Sequence, residues 1–569
     1  MTAQPETAAA SATAAADAAA ALDLLLAAAA LGPQHRLLPG MAGVRFAAGL
    51  ARRPDALARQ AAALAAELAR IGLGSSTLAP SPRDRRFSDP AWTSNPLLRR
   101  LVKAYLAAGR TAEQLLDGAN LDWRDAQRVG FVADNLMQAL APSNNPATSP
   151  AFWKALADSH GGSLVRGARH LAADLATPPR VPSMVEPDAF EVGVDLAVTP
   201  GAVVLRTPVF ELLQYQPQTP TVRQIPLLIV PPTINKYYIL DLAPDRSLVE
   251  YLVRDGQQVF VISWRNPDAR HRAWDADTYG QAILQALAAT RRICRTDRSL
   301  LLGLCSGGML AAMVLAHLAA TGQQERVAGF GLAVTVLDQA RAGMASAMLD
   351  EHTAKAAIAA SAARGFLDGR ALAEVFAWLR PGELIWTYWG NNYLQGRTPP
   401  AFDILAWNAD TTRMPAGLHR DFIRLAVDNT LTRPGAASML GTPVDLAKID
   451  ADAYLVAGIA DHLCPWQSCY RTTQLLGGRS RFVLSSNGHI ASIVNPPGNP
   501  KATVQTAATT PADPADWLDQ ATTQRGSWWP DYVGWLAEHG GGDKPRPRRL
   551  GAAGFRPIDP APGTYALDR

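Results

Sequence analysis

One cysteine stands where its neighbours equip it for chemistry. The run Gly303-Leu304-Cys305-Ser306-Gly307 follows the apolar Leu300-Leu301-Leu302 and precedes a second apolar stretch, Met309 to Ala320. Strand, sharp turn and helix in that order form a nucleophile elbow, in which the central side chain is held on a strained turn between small neighbours. Glycines at 303 and 307 leave room for the turn and for close approach of helix to strand. A hydrolase would keep a serine at the centre. With a thiol there, the expected chemistry moves from hydrolysing acyl groups towards carrying and transferring them.

Such an elbow predicts an α/β-hydrolase fold, whose chain order is nucleophile, acid, histidine. Two residues after Cys305 meet that order. Asp461 follows the strand-like Tyr454-Leu455-Val456-Ala457-Gly458-Ile459, and His489 follows Phe482-Val483-Leu484 and the turn at Gly488. Both fall at the carboxyl ends of strands, where sheets of this kind place their chemistry. His462, beside Asp461, is the competing histidine. A metal reading of His462, Cys464 and Cys469 lacks a second ligand pair, so no metal site is predicted.

The thiol needs help to react. A free thiol has a pKa of about 8.5, so only a few per cent is thiolate at neutral pH. The helix expected after Ser306 favours a negative charge by roughly 0.3–1 kcal/mol, whereas lowering the pKa by ~2 units requires about 2.7 kcal/mol. The dipole is insufficient, and His489 must take the proton as base or ion-pair partner. An oxyanion hole is the second requirement. The backbone N–H of Ser306 supplies one donor in this fold. The other is expected from the loop Pro231-Pro232-Thr233-Ile234-Asn235, with Ile234 the chosen residue. Acyl transfer from a thioester such as acyl-CoA exchanges one thioester for another at little cost. If water is excluded, an incoming hydroxyl then forms an ester.

Elements able to position these groups are legible around them. Leu227 to Val230, Val259 to Trp264, Leu300 to Leu302, Val327 to Val336, Tyr454 to Ile459 and Phe482 to Leu484 are predicted strands. Helical patterns at Ser247 to Arg254, Ala276 to Arg292 and Met309 to Ala320 alternate with them, which argues for a mostly parallel sheet covered on both faces. Between Cys305 and Asp461 the chain is longer than one strand and one helix require. Residues of about 339–445 are therefore read as a cap insertion, rich in aromatics such as Trp378, Trp386, Trp389 and Trp407. Upstream, stretches such as Pro54 to Ile71 and Leu97 to Leu116 read as helices. The predicted layout is an Ala-rich leader at 1–35, a helical N-terminal domain at 36–185 and a catalytic domain at 186–569.

Composition narrows the classes of function. The 569 residues are 48% hydrophobic and 18% charged, with a net charge of +4. The one dense basic tract is Lys544-Pro545-Arg546-Pro547-Arg548-Arg549, a poor basis for nucleic-acid binding. Four cysteines in so long a chain do not suggest a disulfide scaffold, and a reducing cytoplasm fits better. The alanine-rich leader lacks the basic start of a signal peptide, and Asp17 and Asp23 interrupt it. Its unbroken apolar length is too short to span a bilayer; a loosely helical leader is expected.

At these residues the chain resembles the poly(3-hydroxyalkanoate) synthases of the single-subunit type. The resemblance rests on the box Gly303 to Gly307 with Cys305 at its centre, on Pro231-Pro232-Thr233-Ile234-Asn235-Lys236-Tyr237-Tyr238, and on Ser263-Trp264-Arg265-Asn266-Pro267-Asp268. It continues with Asp461-His462 before Pro465-Trp466, Gly488-His489-Ile490 with Asn495-Pro496-Pro497, and Gly526-Ser527-Trp528-Trp529-Pro530. In the helical part it includes Asp84-Arg85-Arg86-Phe87 and Trp92. The tail Arg556 to Gly563 resembles synthases preferring short side chains. By contrast, Asp268 to Arg272 and Asn495 to Lys501 look like those preferring medium ones, so monomer length stays open.

The resemblance implies an acyltransferase that polymerises (R)-3-hydroxyacyl-CoA, releases CoA and stays on the polyester granule in the cytoplasm. Cys305 would hold the growing chain and His489 would activate it. Asp461 would orient His489 or help deprotonate the chain's hydroxyl. Tyr238, Asp241 and Trp386 would be substrate or gating contacts. The resemblance also implies a homodimer, a helical domain concerned with granule attachment and granule-associated proteins, and no metal or bound organic cofactor. Two other readings compete: a Cys-dependent acyl-CoA thioesterase or esterase, which delivers water with the same triad, and a non-catalytic granule or lipid-binding protein.

Overall fold

The computed structural model describes residues 29–31, 38–82, 84–186, 188–339, 351–461 and 463–568. Most of the leader and His462 lie outside the described residues. Contacts divide the chain into two compact units, one of Leu31–Pro187 with Arg370–Phe402 and one of Met1–Ala30, Asp188–Gly369 and Asp403–Arg569.

The first unit is helical: α1 (Gly40–Ala51), α2 (Pro54–Leu73), α3 (Pro96–Gly118), α4 (Trp123–Ala139), α5 (Pro150–Asp158) and α6 (Gly162–Ala176). Proline opens α2, α3 and α5, where a missing N–H costs nothing, and the side chains of Asn95 and Ser149 cap the latter two. The Asp84-Arg85-Arg86-Phe87 motif is a packing device. Asp84 holds the Arg86 guanidinium, which donates to the Tyr105 hydroxyl at 3.0 Å, while Phe87 meets Trp92 edge-on with centroids 5.3 Å apart. Residues 370–402 belong here as well. The Tyr393 hydroxyl donates to Asp174 at 2.7 Å, the Trp389 indole to the Asn144 carbonyl at 3.0 Å, and Trp386 packs on Val181, Ala377 and Ile385. The span of about 339–445 is thus divided between the units, and its residues 340–350 lie outside the described set. An apolar pattern announces that a segment is buried without naming the surface that buries it.

The second unit is built on an eleven-stranded sheet. Its strands are β1 (Gly201–Arg206), β2 (Phe210–Tyr215), β3 (Leu227–Val230), β4 (Val259–Trp264), β5 (Ser299–Leu304), β6 (Val327–Ala333), β7 (Ala453–Gly458), β8 (Ser480–Ser485), β9 (Thr503–Thr506), β10 (Thr522–Arg525) and β11 (Asp559–Pro560). Spatially they run β10-β9-β8-β7-β6-β5-β3-β4-β2-β1-β11. The six from β8 to β4 in that order are parallel. Every residue of β3, β4 and β5 is buried, which is why they read as unbroken apolar runs.

Helices α7 (Leu248–Arg254), α8 (Ala276–Cys294) and α9 (Cys305–Ala320) follow β3, β4 and β5. The steps β3 to β4 and β5 to β6 travel in opposite directions along the sheet, so right-handed crossovers set α7 and α9 on opposite faces. This is the α/β-hydrolase arrangement predicted from the elbow. Antiparallel strands extend both edges, with β1 and β2 on one side and the threonine-rich β9 and β10 on the other. The tail contributes β11 against β1, and Lys236 donates its ammonium to the carbonyls of Tyr565 (3.1 Å) and Asp568. Among the described residues no helix is long and apolar enough to cross a membrane.

Candidate active site

Cys305 is the first residue of α9 and follows β5 directly, with φ +49°. That left-handed backbone costs about 1–3 kcal/mol and persists only where the surroundings over-determine it. Here they do. A Cβ on Gly307 would stand 2.2 Å from the Pro231 carbonyl oxygen, and one on Gly303 would stand 2.6 Å from the Gly308 Cα. The glycines are what let α9 close on the neighbouring loop, and the elbow exists because of them.

That loop, Pro231 to Asn235, leaves β3, which pairs with β5 in parallel with Val230 opposite Gly303. The Thr233 N–H donates to the Ser306 Oγ at 2.9 Å, and the Trp264 indole donates to the Pro231 carbonyl at 3.0 Å. The Ser306 N–H favours the ionised form of the Cys305 thiol. Ile234, beside Thr233, is buried.

Asp461 and His489 stand just beyond β7 and β8, neighbouring parallel strands. The His489 Nδ1 lies 2.7 Å from the Asp461 Oδ2, and the other carboxylate oxygen accepts from the N–H groups of Leu463 (2.8 Å) and Cys464 (2.9 Å). His489 opens the short helix His489–Ile493, whose far end is clamped by two indoles. Trp528 donates to the Ser492 carbonyl at 2.6 Å and Trp529 to the Ile493 carbonyl at 3.3 Å. The tryptophan pair in Gly526 to Pro530 therefore bears on the orientation of His489. Trp528→Phe is expected to lower stability by about 1–3 kcal/mol, the range for a buried acceptor that loses its donor. It is also expected to slow alkylation of Cys305. Unchanged melting and unchanged alkylation would show that the indole bond does neither.

Cys305, Cys464 and His489 place their ligand-capable atoms within 4.8 Å of one another, all buried. The Cys464 thiol, then the His489 imidazole and the Ser306 N–H, hold the Cys305 thiol down at about 5 against the opposing effect of burial. Burial pushes His489 down, but the Asp461 carboxylate and the Cys305 sulfur outweigh it and lift the imidazole to about 10. Both shifts favour the ion pair of thiolate and imidazolium, the form in which a thiol is a nucleophile. The Cys305 sulfur and burial drive Cys464 well above the ordinary thiol range.

Sequence spacing did not reveal that Cys464 touches Cys305. The available signal is its position three residues after Asp461, in a loop folded back by two N–H bonds to the same carboxylate. Other candidate residues are placed as follows. Tyr238 is buried and donates to Asp410 at 2.8 Å. Asp241 is 1% exposed, and its carboxylate accepts from the hydroxyls of Thr199 and Ser247. Burial raises its pKa against those bonds. In this setting it ties the segment before β1 to the cap of α7. Trp386 lies in the helical unit, where its ring meets Trp389 at 5.7 Å.

Residues 83–252 match the family model described as "Poly-beta-hydroxybutyrate polymerase (PhaC) N-terminus", and residues 226–496 match "alpha/beta hydrolase fold". Poly(3-hydroxyalkanoate) polymerase 2 of Ectopseudomonas oleovorans is 46% identical over 91% of this chain and 92% of its own. Poly(3-hydroxyalkanoate) polymerase subunit PhaC of Cupriavidus necator is 41% identical over 85% and 82%. Among solved structures, an esterase from Exiguobacterium antarcticum is 14% identical, covers 51% of this chain and 92% of its own, and has a TM-score of 0.32, too low to weigh. With an elbow cysteine, a carboxylate-bound histidine and this extent of identity, the chain belongs to the poly(3-hydroxyalkanoate) polymerases, an acyl-transferring enzyme family.

Proposed function

We propose that the protein polymerises (R)-3-hydroxyacyl-CoA into poly(3-hydroxyalkanoate) through an acyl-Cys305 intermediate, with release of CoA. The observation that carries this reading is a cysteine on a strained elbow beside a histidine that a buried carboxylate holds. The Cys305 sulfur attacks the thioester carbonyl carbon. The Ser306 and Ile234 N–H groups stabilise the oxyanion, Ile234 because the Thr233 N–H is already taken by the Ser306 hydroxyl. Collapse breaks the bond to the CoA sulfur, which leaves with the His489 proton. A 3-hydroxyl then attacks the acyl-cysteine, His489 takes its proton, and an ester forms while the sulfur is freed.

Asp461 acts as the orienter of His489 in this scheme. Its side chain is fully buried and both its oxygens are engaged, two bonds to loop N–H groups and one to the imidazole. A carboxylate so occupied is poorly placed to serve an incoming hydroxyl. Tyr238, Asp241 and Trp386 enter only as supports of the surrounding frame. We extend the proposal to a cytoplasmic homodimer at the surface of its own polyester granule, with no organic cofactor, as the family resemblance implies.

The test is CoA release from purified protein given (R)-3-hydroxybutyryl-CoA, then the 3-hydroxydecanoyl thioester, with the acyl product identified. CoA with chloroform-soluble polyester supports the synthase and assigns monomer length. CoA with free hydroxy acid makes the protein a Cys-dependent thioesterase instead. Release from neither substrate overturns both readings.

A further inference from the structure

Cys464 has no part in the triad, yet its sulfur lies against the nucleophile. The two sulfurs and the imidazole of His489 fall within 4.8 Å of one another and are buried. Two thiolates and one imidazole are a zinc donor set, the soft sulfurs selecting thiophilic ions over magnesium or calcium. Metal–ligand bonds of about 2.3 Å to sulfur and about 2.0–2.1 Å to nitrogen require donors roughly 3.4–3.8 Å apart in a tetrahedron. Small side-chain rotations supply that difference.

The surroundings match as well. The His489 Nδ1 is bonded to Asp461, which turns Nε2 towards the sulfurs, and a carboxylate behind a ligating histidine is the usual outer partner of such a site. The same carboxylate binds the N–H groups of Leu463 and Cys464, so one residue orients the imidazole and fixes the loop that carries the second sulfur. Three protein ligands leave a fourth position open to water.

We propose that Cys305, Cys464 and His489 form a binding site for a thiophilic divalent cation, zinc in chemical class, and that its occupancy switches the enzyme off by capping the nucleophile. The ion bonds to both sulfurs and to Nε2, and the protons those three groups share leave to solvent. No electron is transferred, and removal of the ion restores the thiolate. The binding half of this proposal rests on the donor geometry alone, whereas the switch also rests on Cys305 as the nucleophile.

Titration of the full-length protein with cobalt(II), under reductant that does not bind metal, tests the site without reference to turnover. One equivalent is expected to give sulfur-to-cobalt charge-transfer absorption, which zinc then abolishes by displacement. Cys464→Ala and Cys464→Ser are expected to weaken zinc binding by at least about 100-fold, with the two variants compared by circular dichroism and melting to establish that they fold. Cys469→Ala, which removes a buried thiol outside the cluster, is expected to bind as the parent does. In the turnover assay, stoichiometric zinc is expected to stop CoA release and a chelator to restore it, with folded Cys464 variants losing a smaller fraction of their own zinc-free rate at the same dose. Absence of the charge-transfer band, or equal zinc affinity in a folded Cys464 variant, overturns the site. A band with undiminished turnover keeps the site and overturns the switch.

Discussion

Cys305→Ala is expected to fold, melt near the parent temperature and lose CoA release by at least about 10⁴-fold, since removing a nucleophile that works as a unit with its base forfeits nearly all of their joint effect. The elbow backbone explains why the fold survives. Its shape comes from Gly303 and Gly307, which have no room for a Cβ, and alanine at 305 accepts the same φ at a modest strain cost. Intact mass after brief exposure to the hydroxyacyl thioester supplies the second readout. The parent should gain one acyl mass and the variant none. Retained CoA release by the variant would remove Cys305 from the role of nucleophile.

Asp461→Asn is expected to act through the other two groups. In the parent, Cys305 is held well below the ordinary thiol range and His489 is lifted above the ordinary imidazole range, so the rate of alkylation by iodoacetamide should be flat through neutral pH and fall only in acid. The sign follows from which form reacts: the thiolate is present above its pKa and is lost below it. Without the carboxylate, the burial that already opposes the imidazolium goes unanswered, and the His489 pKa falls. Cys305 then loses its cationic neighbour, and its alkylation midpoint should climb towards the free-thiol value of about 8.5. The amide also favours the wrong tautomer at Nδ1, for which a loss of about 10⁴-fold in kcat is the precedent in serine enzymes. An alkylation profile that keeps the parent's acidic midpoint would show that Asp461 does not sustain the pair.

How much of this was legible in the residues depends on how local the cause is. The elbow is set by five consecutive side chains, and β3 and β4 begin and end where their apolar runs do. Asp461 and His489 could be assigned because a strand precedes each and the fold fixes their order. The outer strands were not legible, since β9 and β10 are polar and gain their place by pairing with β8, and β11 is two residues of a proline-rich tail. Residues 370–402 advertise aromatics but not their destination, which is set by hydrogen bonds to Asn144, Arg166 and Asp174 more than two hundred positions away. The sequence offers Cys464 only beside His462 and Cys469, and its partnership with Cys305 is hidden for a similar reason. Its contact with Cys305 depends on a turn made after Asp461, and nothing in the spacing of two cysteines predicts that.

The stitching of the tail to Lys236 couples two distant stretches of the chain. The loop that carries Ile234 is made early, yet the residue that continues it is held by carbonyls 329 and 332 positions later. β1 likewise waits for β11 to cover its edge. Two stretches more than three hundred positions apart thus share one support, and loosening the tail is expected to loosen the loop after β3 with it.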